Sequence, residues 1–197
     1  FGAGGILSGD AVTLSKDGNT LAVSAPFESS GSPGVGGNQA DESMYGAGAV
    51  YIFARQSDNW AQQAYLKASN PGLTDNFGFS TALSADGNTL VVSAHFESSG
   101  DAGIEADQSD DSIPQAGAVY VFSRTGENWN QQAYIKPSNI GELAQGQEFG
   151  DGDQFGTALT LSDDGNVLAV SAITEDGGSP GISGDEADNS VRSAGAV

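Results

Sequence analysis

The feature that most constrains this chain is a phrase that occurs three times. "LSKDGNTLAVSA" begins at residue 14, "LSADGNTLVVSA" at residue 83 and "LSDDGNVLAVSA" at residue 161. The alignment continues without internal gaps over 14–50, 83–119 and 161–197. A repeat of about seventy residues predicts an array of similar structural units. We therefore expect units at residues 1–76, 77–154 and 155–197, with the third truncated and all three in one domain.

Within each unit, the sequence pattern predicts strands and turns and no helix. The Asp-Gly-Asn tripeptides at 17–19, 86–88 and 164–166 tolerate positive φ and predict tight hairpin turns. First strands are expected at 11–15, 81–84 and 158–162, and second strands at 20–25, 89–94 and 167–172. "GAVYIFAR" at 48 and "GAVYVFSR" at 117 predict internal third strands. "NWAQQAYLK" at 59 and "NWNQQAYIK" at 128 predict fourth strands, with Trp60, Gln62, Ala64 and Leu66 on one face.

Four antiparallel strands per unit predict an all-β fold built of β-propeller blades. Such a sheet buries both of its faces only by stacking on sister sheets. An open β-solenoid is the alternative, and it would need shorter and more regular coils. About four to eight blades close a propeller, whereas this sequence holds two complete units and part of a third. We expect a fragment of a larger propeller, with a ring of several chains as the second possibility.

The balance of charges excludes several classes of function. The chain has 26 acidic and 6 basic residues and a formal net charge of -20, which excludes nucleic acid as a partner. No run approaches the roughly 18 apolar residues of a membrane span, so we expect no membrane insertion. The chain has no cysteine, which excludes disulfides, thiol nucleophiles and thiolate metal sites.

A polar loop also recurs once in each unit, as "GVGGNQADES" at 34, "GIEADQSDDS" at 103 and "GISGDEADNS" at 181. We call residues 28–46, 95–115 and 173–193 the acidic loops, because they hold more than half of the acidic residues of the chain. An apolar residue, Val35, Ile104 or Ile182, follows the glycine that begins each ten-residue motif. The oxygen-bearing positions that recur in register are Glu28, Asn38, Asp41 and Ser43; Glu97, Asp107, Asp110 and Ser112; and Glu175, Asp185, Asp188 and Ser190.

Two interpretations of these recurring oxygens stay open. In the first, they are metal ligands that converge on a Ca²⁺ ion in each unit, since calcium takes six to eight oxygen ligands. In the second, Asp, Asn and Ser side chains satisfy the amides of their own loop through Asx-type and Ser-type turns. The apolar residue then plugs the edge of the blade, and the remaining carboxylates are solvated.

Other candidate residues have simpler interpretations. Asp151 and Asp153 in "QEFGDGDQFG" have the spacing of paired metal ligands, although a glycine-rich insertion between blades is the commoner meaning. His95 stands where the sister units have Pro26 and Ile173, so we expect a packing residue rather than a general base. Trp60 and Trp129 are expected to fill contacts between blades.

No nucleophile motif or glycine-rich phosphate loop is present, so we expect no catalysis. A propeller hydrolase or lyase acting on glycans is the alternative.

The order of these motifs resembles the FG-GAP repeat of integrin α-subunit propellers, and especially its bacterial extracellular branch. The matching residues are Phe77-Gly78, Phe155-Gly156 and Ser24-Ala25-Pro26. Integrin-type repeats bind calcium between their first two strands, where this chain has only the short Asp-Gly-Asn turns. The resemblance implies an extracellular or cell-surface module for binding or adhesion. It also implies a protein or glycan ligand at the face of the acidic loops, and packing against further blades or sister subunits.

Overall fold

The structure is a computed structural model that describes residues 12–140, 152–182 and 184–197, and these ranges contain β-strands and no helix. The predicted all-β class is confirmed, while the predicted strand start at Ala11 lies outside the described residues. The strands are β1 (Val12–Leu14), β2 (Thr20–Ala25), β3 (Ala49–Gln56), β4 (Asn59–Leu66), β5 (Thr81–Leu83), β6 (Thr89–Ala94), β7 (Ala118–Thr125), β8 (Asn128–Ile135), β9 (Phe155–Leu161) and β10 (Leu168–Ala172).

The first two units form separate four-stranded antiparallel sheets, in the orders β1-β2-β3-β4 and β5-β6-β7-β8. β9 and β10 form a third sheet. Neighbours in sequence are neighbours in each sheet, which is the arrangement of a propeller blade and not of a solenoid coil. β9 begins at Phe155, three residues before its predicted start. A register shift between Val170 and Ala172 allows Phe155 to pair with Ala172.

The Asp-Gly-Asn turns close the first hairpin of each unit, as predicted. The Asp17 carboxylate accepts hydrogen bonds from the Ser15 hydroxyl (2.6 Å) and the Asn19 amide (3.0 Å). These bonds, chiefly the one from Ser15, hold the pKa of Asp17 below its usual value. Gly18 supplies the positive φ of 69° that the turn requires. The same pair of bonds recurs at Asp86 and Asp164.

A β-bulge in the fourth strand overturns one prediction about its faces. Ile52 pairs with Ala64 and Phe53 pairs with Gln62, so Gln63 is an extra residue in β4. An extra residue reverses the alternation of side chains. Trp60 and Gln62 therefore share a face that is opposite to the face of Ala64 and Leu66. β8 carries the same irregularity, because Val121 pairs with Ala133 and Phe122 pairs with Gln131.

The first two sheets share one hydrophobic core. The first sheet contributes side chains that include Val50, Ile52 and Leu66. The second sheet contributes aromatic side chains that include Tyr120 and Phe122. Burial of this apolar surface between sheets is the main stabilising term for stacked repeats. Fully buried members of the core include Val50, Ile52, Leu66, Leu90, Tyr120, Phe122 and Tyr134.

The Phe-Gly pair holds adjacent units together. Phe77 lies in the connection between the first two sheets, is fully buried, and meets the ring of Tyr120 edge-on at 5.3 Å. Its backbone forms a parallel bridge with Gly48, the glycine of the "GAV" motif. Gly48 and Gly117 both have φ of 82°, and a Cβ on either would collide with the backbone of Phe77 or Phe155. Glycine is therefore required at both positions, because the backbone of the adjacent Phe-Gly pair leaves no room for a side chain.

We expect Gly117→Ala to lower the free energy of unfolding by at least about 3 kcal/mol, because it combines positive φ with a backbone collision. Urea denaturation measures this loss. The matched control is Gly126→Ala, where φ is 65° and no atom lies within 4 Å of the added Cβ. That change adds backbone strain alone, about 1 kcal/mol. Equal losses in the two variants would contradict the role given to the Phe155 backbone.

Candidate functional site: the acidic loops

Each acidic loop has a buried glutamate within its first three residues, whereas the sequence predicted either a calcium ligand or a solvated carboxylate there. The exposed fractions are 6% for Glu28, 1% for Glu97 and 7% for Glu175. The ammonium of Lys67, just after β4, donates to the Glu28 carboxylate at 2.9 Å, and Lys136, just after β8, donates to Glu97 at 2.7 Å. In all three units, the backbone amide two residues further on also donates to the glutamate. The glutamate therefore fixes the base of the loop.

Asn70 connects the end of the first sheet to the acidic loop of the second unit. Its side-chain amide donates to Glu97 Oε1 (3.0 Å) and to the backbone carbonyl of Gln108 (3.1 Å). Its Oδ1 accepts a hydrogen bond from the Tyr120 hydroxyl at 2.7 Å. One asparagine thus satisfies polar groups of two elements in the next unit. Asn70 is not among the residues predicted from the sequence.

The third unit repeats part of this arrangement. Asn139 donates to Glu175 Oε1 and to the backbone carbonyl of Glu186, both at 3.2 Å. The pattern that would have identified these residues is "LKASN" at 66 and "IKPSN" at 135, where a lysine and an asparagine recur at fixed spacing. In each pattern the lysine contacts the glutamate of its own unit, and the asparagine contacts the glutamate of the next unit.

The remaining oxygens of the loops form turns. The side chains of Asn38, Asp107 and Asp185 each accept a hydrogen bond from the amide two residues further on, at 3.1, 2.9 and 3.1 Å. Asp41, Asp110 and Asp188 do the same with the amides of Ser43, Ser112 and Ser190, at 3.1, 3.1 and 3.2 Å. A hydrogen bond from Ser43 is the largest cause of the lowered pKa of Asp41, and Ser190 plays that part for Asp188. This geometry favours the turn interpretation.

A glycine near the start of each loop, not predicted from the sequence, permits a close approach between the two arms of the loop. A Cβ at Gly31, Gly100 or Gly178 would collide with the hydroxyl of the serine that ends the oxygen-bearing motif. In the first loop, the Gly31 amide donates to Asp41 Oδ2 at 2.9 Å. The two arms of the loop therefore touch through backbone and short polar side chains. The repeated "ESSG" at 28 and 97 marks this position.

The apolar residue of each loop does not plug the blade edge. The backbones of Val35 and Ile104 form isolated bridges with Leu66 and Ile135, which extend the sheet at the end of its last strand. The side chains themselves point into solvent, with exposed fractions of 43% for Val35 and 72% for Ile104. Ile182 is fully exposed. The plug prediction is therefore wrong, because the backbone pairing protects the edge while the side chain stays outside.

The acidic members of the predicted calcium ligands do not form a group of three or more in any unit of the described chain. In the described ranges, no group of three or more His, Cys, Asp or Glu side chains is placed to hold a metal ion. The ammonium of Lys67 or Lys136 already lies beside the upstream glutamate. A calcium site that includes Glu28 or Glu97 does not fit this arrangement. Calcium binding by the other loop oxygens stays a prediction.

The structure also places the other candidate residues. Asp153 is buried, and Asp151 lies outside the described residues. His95 is 4% exposed and stacks against Phe79 with ring centroids 3.6 Å apart, so its packing role is confirmed. Trp129 is buried between blades, as predicted, but Trp60 is 43% exposed. The ring positions in the strands are equivalent, yet no described sheet covers the face that carries Trp60.

A buried carboxyl group lies at the junction of the first two sheets. Asp75 precedes Phe77 in the connection, is 5% exposed, and accepts a hydrogen bond from the Gly72 amide at 2.7 Å. Burial, and secondarily the negative charge of Glu97, raises the pKa of Asp75 to about 7. Burial lowers the pKa of His95 to about 4. The junction therefore contains two groups whose titrations affect stability in opposite directions.

Replacing the buried lysine tests the anchor of the second acidic loop. We expect Lys136→Met to lower the free energy of unfolding by about 3–5 kcal/mol, because it leaves the Glu97 carboxylate buried without a cation. Urea denaturation measures the loss, and adding Glu97→Gln should restore part of it. The control is Lys16→Met, which breaks the exposed Lys16–Asp163 pair and should cost less than about 1 kcal/mol. Similar losses for both lysines would contradict the anchor.

The pH dependence of stability provides a second test. Folded Asp75 holds its proton above the usual aspartate pKa of 3.8, so its contribution to stability falls as pH rises from about 4 to about 7. The contribution of His95 rises with pH, because below the usual histidine pKa of 6.5 the unfolded chain binds a proton that the buried imidazole does not. We expect Asp75→Asn to stabilise the protein by at least about 1 kcal/mol above pH 7, with no gain near pH 4. His95→Ile should gain relative stability only at acidic pH. Parallel urea-midpoint profiles for wild type and variants would contradict both assignments.

Comparison with known proteins agrees with this architecture. Residues 60–122 match the model of the FG-GAP repeat family. No curated protein matches the chain. The matched segment runs from β4 of the first sheet to β7 of the second, and it includes Phe77-Gly78 and the second acidic loop. The segment that matches the FG-GAP repeat model is thus offset by one strand from the second sheet, because it begins with the last strand of the first sheet and ends with the third strand of the second.

Proposed function

We propose that the chain is a non-catalytic binding module of an extracellular or cell-surface protein, and that its acidic loops contact a protein partner. FG-GAP repeats build propeller modules, and residues 60–122 match the family model. No helix long and apolar enough to cross a membrane occurs among the residues that the structure describes. The proposal concerns the end of the sheets that carries the acidic loops, opposite to the Asp-Gly-Asn hairpins.

The single observation that carries the proposal is the exposed apolar residue at the same position of each acidic loop. Val35, Ile104 and Ile182 project from three successive units. Exposed apolar side chains that recur beside charged groups are typical of protein contacts. The same loops also carry exposed carboxylates, which include Glu42, Asp101, Glu105, Asp107, Asp111, Asp185 and Glu186.

The chemistry of the loops defines the kind of partner. Apolar side chains among carboxylates are complementary to a surface that carries lysine or arginine beside apolar residues. Neutral glycans are usually held by exposed aromatic rings, and Tyr45 is the large aromatic side chain exposed on the described part of the acidic loops. The surface therefore favours a basic protein over a glycan.

The loops present this surface with little freedom to rearrange. Lys67 and Lys136 fix the loops from below, and short polar side chains tie the two arms together. A preorganised surface loses less conformational entropy when a partner binds. The rigid base thus supports a role in recognition.

The test uses synthetic peptides as probes. Peptides that alternate lysine with leucine, peptides that alternate lysine with serine, and neutral oligosaccharides are measured against the immobilised chain at physiological salt. We expect the lysine–leucine peptides to bind best, and the double variant Ile104→Ser with Ile182→Ser to weaken that binding at least about threefold.

The matched control is Val167→Ser, which removes a side chain of similar exposure (66%) beside a hairpin at the opposite end of the sheet. Its binding should equal that of wild type. Equal binding by the double variant, or a preference for the neutral oligosaccharides, would overturn the proposal.

A further inference from the structure

We propose that the side chains of Lys136 and Asn70 form an amide bond with each other, and that Glu97 carries the protons of this reaction. The bond joins the connection that follows the first sheet to the residue that follows the last strand of the second sheet. Every reacting group belongs to the chain, so the reaction needs no cofactor. The site lies at the base of the second acidic loop and is independent of the partner proposed for the loop surface.

One carboxylate holds both reacting groups. The Lys136 ammonium donates to Glu97 Oε2 at 2.7 Å, and the Asn70 side-chain amide donates to Glu97 Oε1 at 3.0 Å. The two oxygens of a carboxylate share one carbon atom, so the amine and the amide are neighbours. Two groups held together in this way react far more readily than the same groups free in solution.

The side-chain amide of Asn70 is prepared for attack. Its Oδ1 accepts a hydrogen bond from the Tyr120 hydroxyl at 2.7 Å. Negative charge develops on this oxygen when a nucleophile adds to Cγ, and a hydrogen-bond donor already in place stabilises that charge. Pro71 follows Asn70 and has no backbone N–H. The backbone attack that converts other asparagines to succinimides is therefore absent at this position.

The surroundings of Lys136 favour the uncharged, reactive form of its amine. Its side chain is fully buried, and burial lowers the pKa of Lys136 against the opposing effect of Glu97. Glu97 is 1% exposed and also accepts a hydrogen bond from the Tyr134 hydroxyl at 2.9 Å. Transfer of one proton from Nζ to Oε2 converts the buried ion pair into a neutral amine and a neutral carboxylic acid, and burial favours neutral groups.

The reaction balances without an oxidant or a reductant. Lys136 first passes one proton to Glu97, and its neutral nitrogen then attacks Cγ of Asn70, which forms the new C–N bond and moves an electron pair onto Oδ1. Glu97 delivers its proton to Nδ2 and takes one from the attacking nitrogen. When the electron pair returns from Oδ1, the Cγ–Nδ2 bond breaks and ammonia leaves. Ammonia takes the last proton from Glu97, so the products are the amide, an ammonium ion and the original carboxylate.

The ion pair of Lys136 with Glu97 is the state before this reaction. The product amide keeps one N–H, which remains available to Glu97 as a donor. The new bond closes a ring of the chain from residue 70 to residue 136, and this ring contains the whole second sheet. A cross-link of this kind restricts the unfolded chain. The first unit then stays attached to the far end of the second even when one of them unfolds.

Mass spectrometry of the purified 197-residue chain tests the proposal. We expect a species lighter than the sequence mass by about 17 Da, the mass of ammonia, to accumulate while the folded protein is incubated at physiological temperature. Trypsin cleaves after Lys67 and Arg124, so a digest of the unreacted chain places Asn70 and Lys136 on separate peptides. The reacted chain should yield one branched peptide that contains both. This peptide is the decisive observation, because an asparagine that cyclises elsewhere also loses ammonia.

Variants of the chain assign the role of each group. Glu97→Gln keeps the shape of the side chain but cannot carry the protons, and Asn70→Ala removes the electrophile, so neither variant should form the branched peptide. Tyr120→Phe should form it at least about tenfold more slowly, because it removes the donor to Oδ1. The matched control is Lys16→Met, which removes an exposed lysine and should react at the wild-type rate.

The proposal fails if the folded wild-type chain keeps its full mass after prolonged incubation, if the lighter species gives no branched peptide, or if that peptide also forms in Glu97→Gln. Circular dichroism must show that Glu97→Gln is folded. If it is not, the rate of Tyr120→Phe replaces it, and a wild-type rate in that variant overturns the proposal. None of these results affects the binding test of the acidic loops, which uses Ile104 and Ile182.

Discussion

The acidic loops depend on a lysine ammonium buried against a glutamate carboxylate. The glutamate follows the second strand and the lysine follows the fourth, and antiparallel order brings both to the same end of the sheet. In a chain with a net charge of -20, loops rich in carboxylates repel one another. The buried pair holds the first acid of each complete loop beside a cation, and turns with internal hydrogen bonds then carry the remaining acids outward.

Contacts between units follow the same principle, because each sheet completes the polar groups of its neighbour. The bulged residue Gln63 of the first sheet accepts hydrogen bonds from the Trp129 indole (3.0 Å) and from Arg124 (3.1 Å) of the second. Asn70, which follows β4, forms hydrogen bonds with Glu97 and Tyr120 of the second unit. Between these two polar contacts lies the shared hydrophobic core. Polar groups at both ends of the core therefore fix the position of one sheet on the next.

Much of the fold was predictable from the sequence, because a repeated pattern gives the same indication several times. The Asp-Gly-Asn turns and the strands β2 and β6 were predicted at the correct positions, since local turn chemistry decides them. The faces of β4 were predicted wrongly, because a bulge at Gln63 depends on pairing with a partner strand and has no local sequence signature. For the candidate site, the recurring residues were found, but their environment was not. The burial of Glu28 and Glu97 was not predictable from local sequence, because their partners, Lys67 and Lys136, lie 39 residues away.

The polar contact from each unit to the next has a consequence for how such chains change in length. Lys67 closes its own unit, whereas Asn70, three residues later, contacts the unit that follows. Asn139 makes the equivalent contact with Glu175. If recombination joined the segment ending at residue 76 directly to residue 155, Asn70 would meet Glu175 in place of Glu97. Because the same asparagine–glutamate contact joins both pairs of neighbouring units, whole units can be gained or lost in evolution without creating a mismatched junction.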